Sequence, residues 1–182
     1  MQFNVAQLLK EPTGSTRKYE VEEQLDDLDP ELVIQSPIVG RVKFTKIPQG
    51  VLVNGTLKTV VEVNCSRCLE PFDVPVAIEL EEEFRPSVDL QTGARLPRGD
   101  DEDEATVIDE KHIIDLSEVV RQDLLIGLPS LPVCREDCKG LCPHCGQNLN
   151  EGTCDCATDT VDHRWQALRA LLDESGDGAT QE

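Results

Sequence analysis

The residues of this sequence with the clearest chemistry are its eight cysteines, which fall into four close pairs. Six of them lie within 23 residues in the pattern C-x3-C-x3-C-x2-C-x8-C-x-C, and a separate C-x2-C lies far upstream. Thiolates two or three residues apart can bind one tetrahedral metal ion, whereas a disulfide between such near neighbours would close a strained loop. The spacing therefore predicts metal binding. The eight candidate ligands are Cys65, Cys68, Cys134, Cys138, Cys142, Cys145, Cys154 and Cys156.

The spacing favours two sites with four thiolates each. Cys142 and Cys145 lie in the sequence CPHCG, where Gly146 frees backbone amides to hydrogen-bond the sulfurs. Cys154 and Cys156 return after eight residues and would complete a compact zinc ribbon with them. The other site would join the upstream pair to the segment after a predicted helix, across a long stretch of sequence. Its members would be Cys65, Cys68, Cys134 and Cys138.

Other assignments of the cysteines stay open at this point. Cys134 and Cys138 can share a metal with the other downstream thiols, which would leave Cys65 and Cys68 free. A thioredoxin-like redox use of C-x2-C lacks the surrounding βαβ pattern. A [4Fe–4S] cluster also takes thiolate ligands. Zinc is favoured because of the knuckle glycine and the lack of a redox motif, and two zinc ions with four thiolates each have no open position, so they are predicted to be structural.

No arrangement typical of an enzyme is present in the sequence. There is no Ser/His/Asp set, P-loop or glycine-rich nucleotide turn, and His144, although it lies between two ligands, is expected to point to solvent. We therefore predict no catalytic residue. The alternatives are a thiol-redox protein and a metal-dependent RNA-processing enzyme, and the latter requires an open coordination position or a cluster of carboxylates.

The formal charge of −19, from 36 acidic and 17 basic residues, is opposite to that of a typical nucleic-acid binder. Any RNA contact must therefore be local, and a basic protein partner is easier to accept. The candidates for local phosphate contacts are the basic residues beside the knuckles, Arg67, Arg135 and Lys139. No signal-peptide pattern and no apolar run of ~20 residues is present, so we expect no membrane association and a cytoplasmic protein with reduced thiols.

Period-two alternation predicts three long strands between residues 32 and 84. The third run is the clearest, because apolar residues alternate from Phe72 to Phe84 with Glu82 as the one break. Cys65–Cys68 falls at the turn between the second and third runs, where a metal knuckle can replace a hairpin loop. We predict an α+β fold: an antiparallel, partly barrel-like β-sheet, then a helix, a C-terminal cysteine-rich zinc ribbon and a short terminal helix.

The helix is expected to begin at a capping box formed by Asp115 and Glu118, because a carboxylate three residues after a capping residue can bond the free backbone amides. Proline, glycine and a run of like charges predict a mobile connection before it. The predicted regions are a β-rich region with the first knuckle (1–84), an acidic mobile linker (85–106), the helix with the cysteine-rich region and terminal helix (107–172) and a disordered tail (173–182).

Five segments of the chain resemble the large ribosomal RNA subunit accumulation protein family of bacteria and plastids, the YceD family. The resemblance covers nearly the whole chain, and its six-cysteine C-terminal form is similar to that of cyanobacteria and Gram-positive bacteria. The segments are VNCSRCLEPFDVPV (63–76), EEEF (81–84), IDLSEVVRQDLLIGLPSLPVC (114–134), CKGLCPHCGQNLNEGTCDC (138–156) and DHRWQALRALL (162–172).

The resemblance implies a role in the accumulation of 23S rRNA and in maturation of the large ribosomal subunit, without a known catalytic activity. The residues that it carries over are the eight cysteines. On this basis we expect a non-enzymatic factor that binds a large-subunit ribosomal protein or a pre-50S particle. The acidic composition suits a basic protein partner, and direct RNA contact stays open.

Overall fold

The computed structural model of the chain describes residues 1–25, 28–30, 32–89, 92–97 and 103–156. The chain divides into two compact units, Met1–Cys138 and Lys139–Glu182. The first unit holds all the helices and strands that the structure describes. In chain order they are β1 (Gln2–Asn4), α1 (Ala6–Lys10), β2 (Thr16–Glu23), β3 (Val33–Ile34), β4 (Ile38–Ile47), β5 (Gly50–Asn64), β6 (Pro71–Pro86), a 3-10 turn (Glu104–Thr106), β7 (Val107–Ile108), β8 (Ile113–Asp115) and α2 (Ser117–Gly127).

A six-stranded sheet forms the body of the first unit. Its order is β2-β4-β5-β6-β7, with β3 also paired to β5, and every pair is antiparallel except the short parallel pair of β6 and β7. β1 and β8 form a separate two-stranded antiparallel sheet. The strand order is open, with β2 and β7 at its two edges. This architecture agrees with the predicted α+β class, whereas curling into a partial barrel stays a prediction.

The three strands predicted from alternation are β4, β5 and β6, and they form a continuous meander. Apolar residues from neighbouring strands meet on one face, as in the fully buried Leu57 opposite the buried Ile78. The β5–β6 pairing ends with Asn64 opposite Pro71. Cys65–Cys68 therefore lies in the connection of this hairpin, as the sequence predicted.

The hydrophobic core lies on the face of the sheet that α2 covers. Val119, Val120 and Leu124 of α2 are buried, and the helix packs against β6. Phe44 and Phe84 are completely buried in the same core. Full burial of one large apolar side chain contributes about 1.5–3 kcal/mol, so these aliphatic and aromatic contacts fix the sheet that carries the first cysteine pair.

The predicted capping box is wrong. α2 begins at Ser117, and its N-cap residue Leu116 makes no side-chain cap hydrogen bond. The Oδ1 atom of Asp115 accepts the Ser117 N–H at 2.9 Å, so this carboxylate still serves the first turn. Glu118 instead accepts a hydrogen bond from Arg121 at 2.6 Å, because a guanidinium is a stronger partner for a carboxylate than a backbone amide.

No strand was predicted before residue 32, but β2 pairs with β4 along its whole length. Its inward-facing residues are Arg17, Tyr19 and Val21, which are too mixed in polarity to give an alternating pattern. β6 runs to Pro86, and residues 104–106 form a 3-10 turn, so both ends of the predicted linker carry regular structure. The predicted terminal helix and tail lie outside the described residues. Among the residues that are described, no helix is long and apolar enough to cross a membrane.

Glu82 is the one carboxylate on the core-facing side of β6, opposite Val53. Burial and then the nearby charges of Asp123 and Asp103 raise the pKa of Glu82. A raised carboxyl pKa destabilises the fold while the group is ionised, and this penalty disappears once pH falls below the unfolded-state pKa. Because this carboxyl is only partly buried, water screens much of the effect. We expect Glu82→Gln to increase the free energy of unfolding by less than ~1 kcal/mol at pH 7 and not at pH 3.

Urea denaturation at the two pH values measures this difference. Glu79→Gln, on the opposite and exposed face of the same strand, is the matched control. A gain from Glu82→Gln that is equal at both pH values would contradict the assignment of the effect to ionisation.

Candidate metal centres

Four cysteine sulfurs gather where the β5–β6 connection meets the segment after α2. We call Cys65, Cys68, Cys134 and Cys138 the first thiol set. The Sγ atoms of Cys65 and Cys138 are 3.8 Å apart, and those of Cys68 and Cys134 are 3.9 Å apart. All four sulfurs lie within 4.8 Å of one another. The tip of the hairpin is thereby joined to a segment some 70 residues further along the chain, since Cys65 and Cys138 are separated by 73 positions.

The spacing of these sulfurs matches that required around a single ion. Four thiolates placed tetrahedrally at bond lengths of ~2.3 Å lie ~3.8 Å from one another. A disulfide would require ~2.05 Å, and all eight cysteines are free thiols. The donor set of the first thiol set therefore fits one tetrahedral metal ion with an all-sulfur preference.

A second group of four sulfurs gathers within the unit Lys139–Glu182. We call Cys142, Cys145, Cys154 and Cys156 the second thiol set, and their sulfurs also lie within 4.8 Å of one another. Cys142 is buried, Cys145 is exposed, and the other two are half-buried. The structure thus brings the eight thiols into the two groups that the spacing favoured, and each group could hold a metal ion.

The two C-x2-C turns have the same backbone construction. The Leu69 N–H donates to the Cys65 carbonyl at 2.9 Å, and the Gly146 N–H donates to the Cys142 carbonyl at 2.9 Å. Both residues after the second cysteine adopt left-handed backbone, with φ of 63° at Leu69 and 74° at Gly146. Gly146 adopts this conformation without strain because it has no Cβ atom, whereas the Cβ atom of Leu69 makes the same conformation unfavourable. The Leu69 side chain is also 63% exposed, so it gains little from burial.

Substitutions at Leu69 and Gly146 should have opposite effects on the free energy of unfolding. A left-handed backbone destabilises a residue other than glycine by roughly 1–2 kcal/mol. A substitution to glycine removes this strain, but part of the benefit is lost because glycine makes the unfolded chain more flexible. We expect Leu69→Gly to increase the free energy of unfolding by up to ~1 kcal/mol and Gly146→Leu to decrease it by ~1–2 kcal/mol. Thermal denaturation of the metal-loaded proteins measures both.

Leu69→Asn provides the control for this pair, because asparagine tolerates left-handed backbone without the extra chain entropy of glycine. It should be at least as stable as the wild type. A large loss of stability in both Leu69 variants would show that the exposed leucine side chain stabilises the fold and would contradict the strain argument.

Hydrogen-bond donors around the first thiol set favour one thiolate. Burial raises the pKa of the Cys65 thiol, but the N–H groups of Cys134, Cys68 and Arg67 outweigh it and lower that pKa to about 6. The pKa of Cys134 is raised to about 12, first by burial and then by the neighbouring thiols. In the absence of a metal ion, the low pKa therefore makes Cys65 a thiolate at neutral pH, whereas Cys68 and Cys134, whose pKa values are raised, hold protons.

The second thiol set repeats this division. The N–H groups of Cys145 and His144 lower the pKa of Cys142 to about 6. The neighbouring sulfur of Cys145, followed by burial, raises the pKa of Cys156 to about 12. In both C-x2-C turns, the pKa of the first cysteine is thus lowered to about 6 by backbone N–H groups.

The two sets differ in their surroundings. Phe72 and Val133 pack against the first set, and the Ser66 N–H donates to the Pro132 carbonyl at 2.8 Å. Around the second set the contacts are polar. Asn150 accepts the Lys139 N–H at 2.9 Å, and Leu141 forms a β-bridge with Asn148. The first set therefore lies in an apolar cluster, whereas the second is supported by a small polar hairpin.

Of the three basic residues predicted from the sequence to contact phosphate, Arg67 and Arg135 have other partners in the structure. Arg67 donates to the carbonyl oxygens of Glu136 at 3.2 Å and Cys138 at 3.1 Å, so its guanidinium braces the first thiol set. Arg135 lies 3.4 Å from the Asp137 carboxylate, and Lys139 is exposed. Sequence reasoning missed the bracing role of Arg67, because the distance along the chain to Glu136 hides it. Phosphate contact by these residues stays a prediction.

Comparison with known proteins gives consistent matches. The family described as "Large ribosomal RNA subunit accumulation protein YceD" matches residues 53–172. An uncharacterized protein of Mycobacterium tuberculosis is 32% identical over 136 residues, which cover 75% of this chain and 62% of that protein. The "Large ribosomal RNA subunit accumulation protein YCED homolog 1, chloroplastic" of Arabidopsis thaliana is 26% identical over 161 residues, covering 76% of this chain and 50% of that protein.

The protein of the same name from Zea mays is 28% identical over 149 residues, which cover 70% of this chain and 51% of that protein. The chain thus spans about half to three-fifths of the length of the curated relatives that it matches. No solved structure gives a significant match.

Proposed function

We propose that this chain, which belongs to the family of large ribosomal RNA subunit accumulation proteins (YceD), is a non-enzymatic factor for 23S rRNA accumulation and large ribosomal subunit biogenesis. In this proposal it acts in the cytoplasm by binding a large-subunit ribosomal protein or an rRNA–protein intermediate of the pre-50S particle. The observation that carries the proposal is the family match over residues 53–172, which includes both thiol sets. The formal charge of −19 favours a basic partner.

Each thiol set is proposed to hold one zinc ion, with all eight cysteines as ligands. The sulfur separations of 3.8 and 3.9 Å support a single ion, since a four-iron cluster would place several atoms between the thiolates and spread them further apart. When bound, zinc supplies a cross-link between chain segments. Four thiolates fill its tetrahedral shell and leave no position for a substrate or an activated water, which supports a role without catalysis.

A depletion experiment tests the proposed function. In cells lacking the native copy, we expect a lower ratio of 23S to 16S rRNA, restored by the wild-type chain. A tagged chain should sediment with precursors of the large subunit. An unchanged rRNA ratio, or recovery of the tagged chain only with mature 70S ribosomes, would reject the proposal.

Metal analysis separates this function from the enzymatic and redox alternatives. Two zinc ions per chain, with all eight thiols protected from alkylation, are expected. One zinc ion together with alkylation of Cys65 and Cys68 would instead favour a thiol-redox protein.

A further inference from the structure

The outer face of the sheet, opposite the core, carries an open groove of about 1230 Å³. It is formed by β2, β4, β5 and β6, with Gly40 and Gly55 among its lining residues. A Cβ atom at Gly40 would lie 2.1 Å from the Thr56 carbonyl oxygen, and one at Gly55 would lie 2.6 Å from the Arg41 carbonyl oxygen. Only glycine permits this close approach of β4 and β5 at these two positions.

Basic side chains cross this groove in a diagonal line that we call the basic stripe: Lys18, Lys43, Arg41 and Lys58. Lys18 on β2 lies directly opposite Lys43 on β4. Arg41 follows two residues away on the same face, and Lys58 on β5 lies opposite Val39, one further step along β4. With standard strand spacings the stripe is about 17 Å long between its end Cα atoms. All four side chains are exposed.

The three lysines of the stripe are not paired with carboxylates among the described residues. Arg41 pairs with Glu20 at 3.2 Å, but Lys18, Lys43 and Lys58 form no ion pair with a carboxylate of the described residues. The chain has 36 acidic residues against 17 basic ones, so carboxylates are not scarce. Like charges placed directly opposite on neighbouring strands are destabilising, and Lys18 and Lys43 occupy such positions. An anion bound between them would remove this repulsion.

Acidic residues border the stripe on both sides. Glu20 lies on β2, while Glu79 and Glu81 line the groove from β6. Asn54 and Thr56 provide neutral hydrogen-bonding groups between the basic and acidic zones. The basic zone is about two strand spacings wide, or roughly 10 Å, which suits one phosphate backbone. A duplex would bring its second backbone against the acidic borders, so charge complementarity favours a single strand.

We propose that the basic stripe binds the phosphate backbone of single-stranded RNA. The identity of the ligand as RNA rests on the proposed function in rRNA accumulation. The stripe deepens that function, because it assigns direct RNA contact to one face of the sheet. The first thiol set lies at the end of the β5–β6 hairpin, and β5 contributes Lys58 to the stripe.

Fluorescence anisotropy with a labelled 12-nucleotide oligouridylate tests the proposal on the full, metal-loaded chain. For three lysine–phosphate contacts, counterion release predicts that affinity falls about 20-fold between 50 and 200 mM salt. The triple variant K18E/K43E/K58E should bind at least ~10-fold more weakly at 50 mM salt and lose most of the salt dependence. The matched control K10E/K111E/R95E makes the same charge change at exposed positions outside the groove and should bind like the wild type.

A milder variant guards against loss of folding. K18Q/K43Q/K58Q removes the repulsion within the stripe, so it should melt at the same or a higher temperature while binding the oligonucleotide more weakly. Equal weakening in the stripe and control variants, or no binding by the wild type at 50 mM salt, would overturn the proposal. Equal or tighter binding of a 12-base-pair RNA duplex or of polyglutamate would also overturn it, the latter in favour of an acidic protein ligand.

The binding assay and the rRNA ratio in cells test separate claims, so RNA binding by the stripe and the role in rRNA accumulation can be rejected independently. Restoration of 23S rRNA by the charge-reversed stripe variant would reject the stripe and leave the proposed function intact. Stripe-dependent RNA binding by a chain whose loss leaves the 23S to 16S ratio unchanged would support the surface and reject the role in rRNA accumulation.

Discussion

Cys65→Ser is expected to remove one of two metal ions per chain and to lower the free energy of unfolding by about 3 kcal/mol more than Cys145→Ser does. The first thiol set closes a loop of 73 positions, whereas the second closes one of 14. Closing the longer loop contributes about 1.5 kcal/mol more because the unfolded chain loses more freedom. Cys65 is also completely buried, and a serine oxygen there could accept the same N–H groups but would have only weakly accepting thiol sulfurs for its own proton. This costs about 1–3 kcal/mol, a cost that the exposed Cys145 avoids.

Elemental analysis and guanidinium denaturation measure the two parts of this prediction. Cys145→Ser is the matched variant, since it also removes one thiolate from one set of four. Ser66→Ala, in the same turn as Cys65, should retain both ions and controls for disturbance of the turn itself. Equal destabilisation by Cys65→Ser and Cys145→Ser, or two ions retained in the Cys65 variant, would contradict the cross-linking role of the first set.

The affinity of the first thiol set for zinc is expected to rise at least ~100-fold per pH unit between pH 7 and 8. Cys65 is already a thiolate in this range because its pKa is about 6. The pKa of Cys68 is raised and that of Cys134 is about 12, so both thiols must release a proton when a metal ion binds. Cys68 and Cys134 thus release at least two protons per ion, and each released proton changes the apparent affinity by about a factor of 10 for each pH unit. Below pH 6 the Cys65 thiolate also becomes protonated, and the dependence should steepen.

Competition with a chromophoric zinc indicator at several pH values gives this slope. The Cys145→Ser variant isolates the first set by weakening the second. Proton release can be counted separately with a pH dye in weak buffer, where at least two protons per ion are expected at pH 7.5. A slope below tenfold per pH unit would show that the thiols next to Cys65 are already ionised before the metal binds.

The strands β4 to β6 could be predicted because their inward residues repeat regularly over long runs, as from Phe72 to Phe84. β2 could not, because it is an edge strand whose inward face includes Arg17. The prediction of a capping box was wrong because it considered only neighbouring residues. A local motif such as Asp115 and Glu118 does not reveal that Arg121 competes for the second carboxylate.

The grouping of the cysteines was favoured by spacing alone, since C-x2-C and C-x-C pairs restrict which sulfurs can meet. The bracing contacts of Arg67 lie beyond such reasoning, because they depend on which distant segment reaches the hairpin. The basic stripe depends on strand register in the same way. Lys18, Lys43 and Lys58 are scattered in the sequence and become neighbours only when β2, β4 and β5 are paired.

The long span of the first thiol set has a consequence for the order of events during folding. Cys134 and Cys138 reach Cys65 and Cys68 across some 70 residues of chain, and contacts between segments so far apart form slowly during folding. Before these contacts form, six thiols within 23 residues are exposed to the first ion that arrives, and Cys138 lies only four positions from Cys142. We therefore expect that zinc present before the first thiol set has assembled favours intermediates in which the downstream cysteines bind the metal in the wrong grouping.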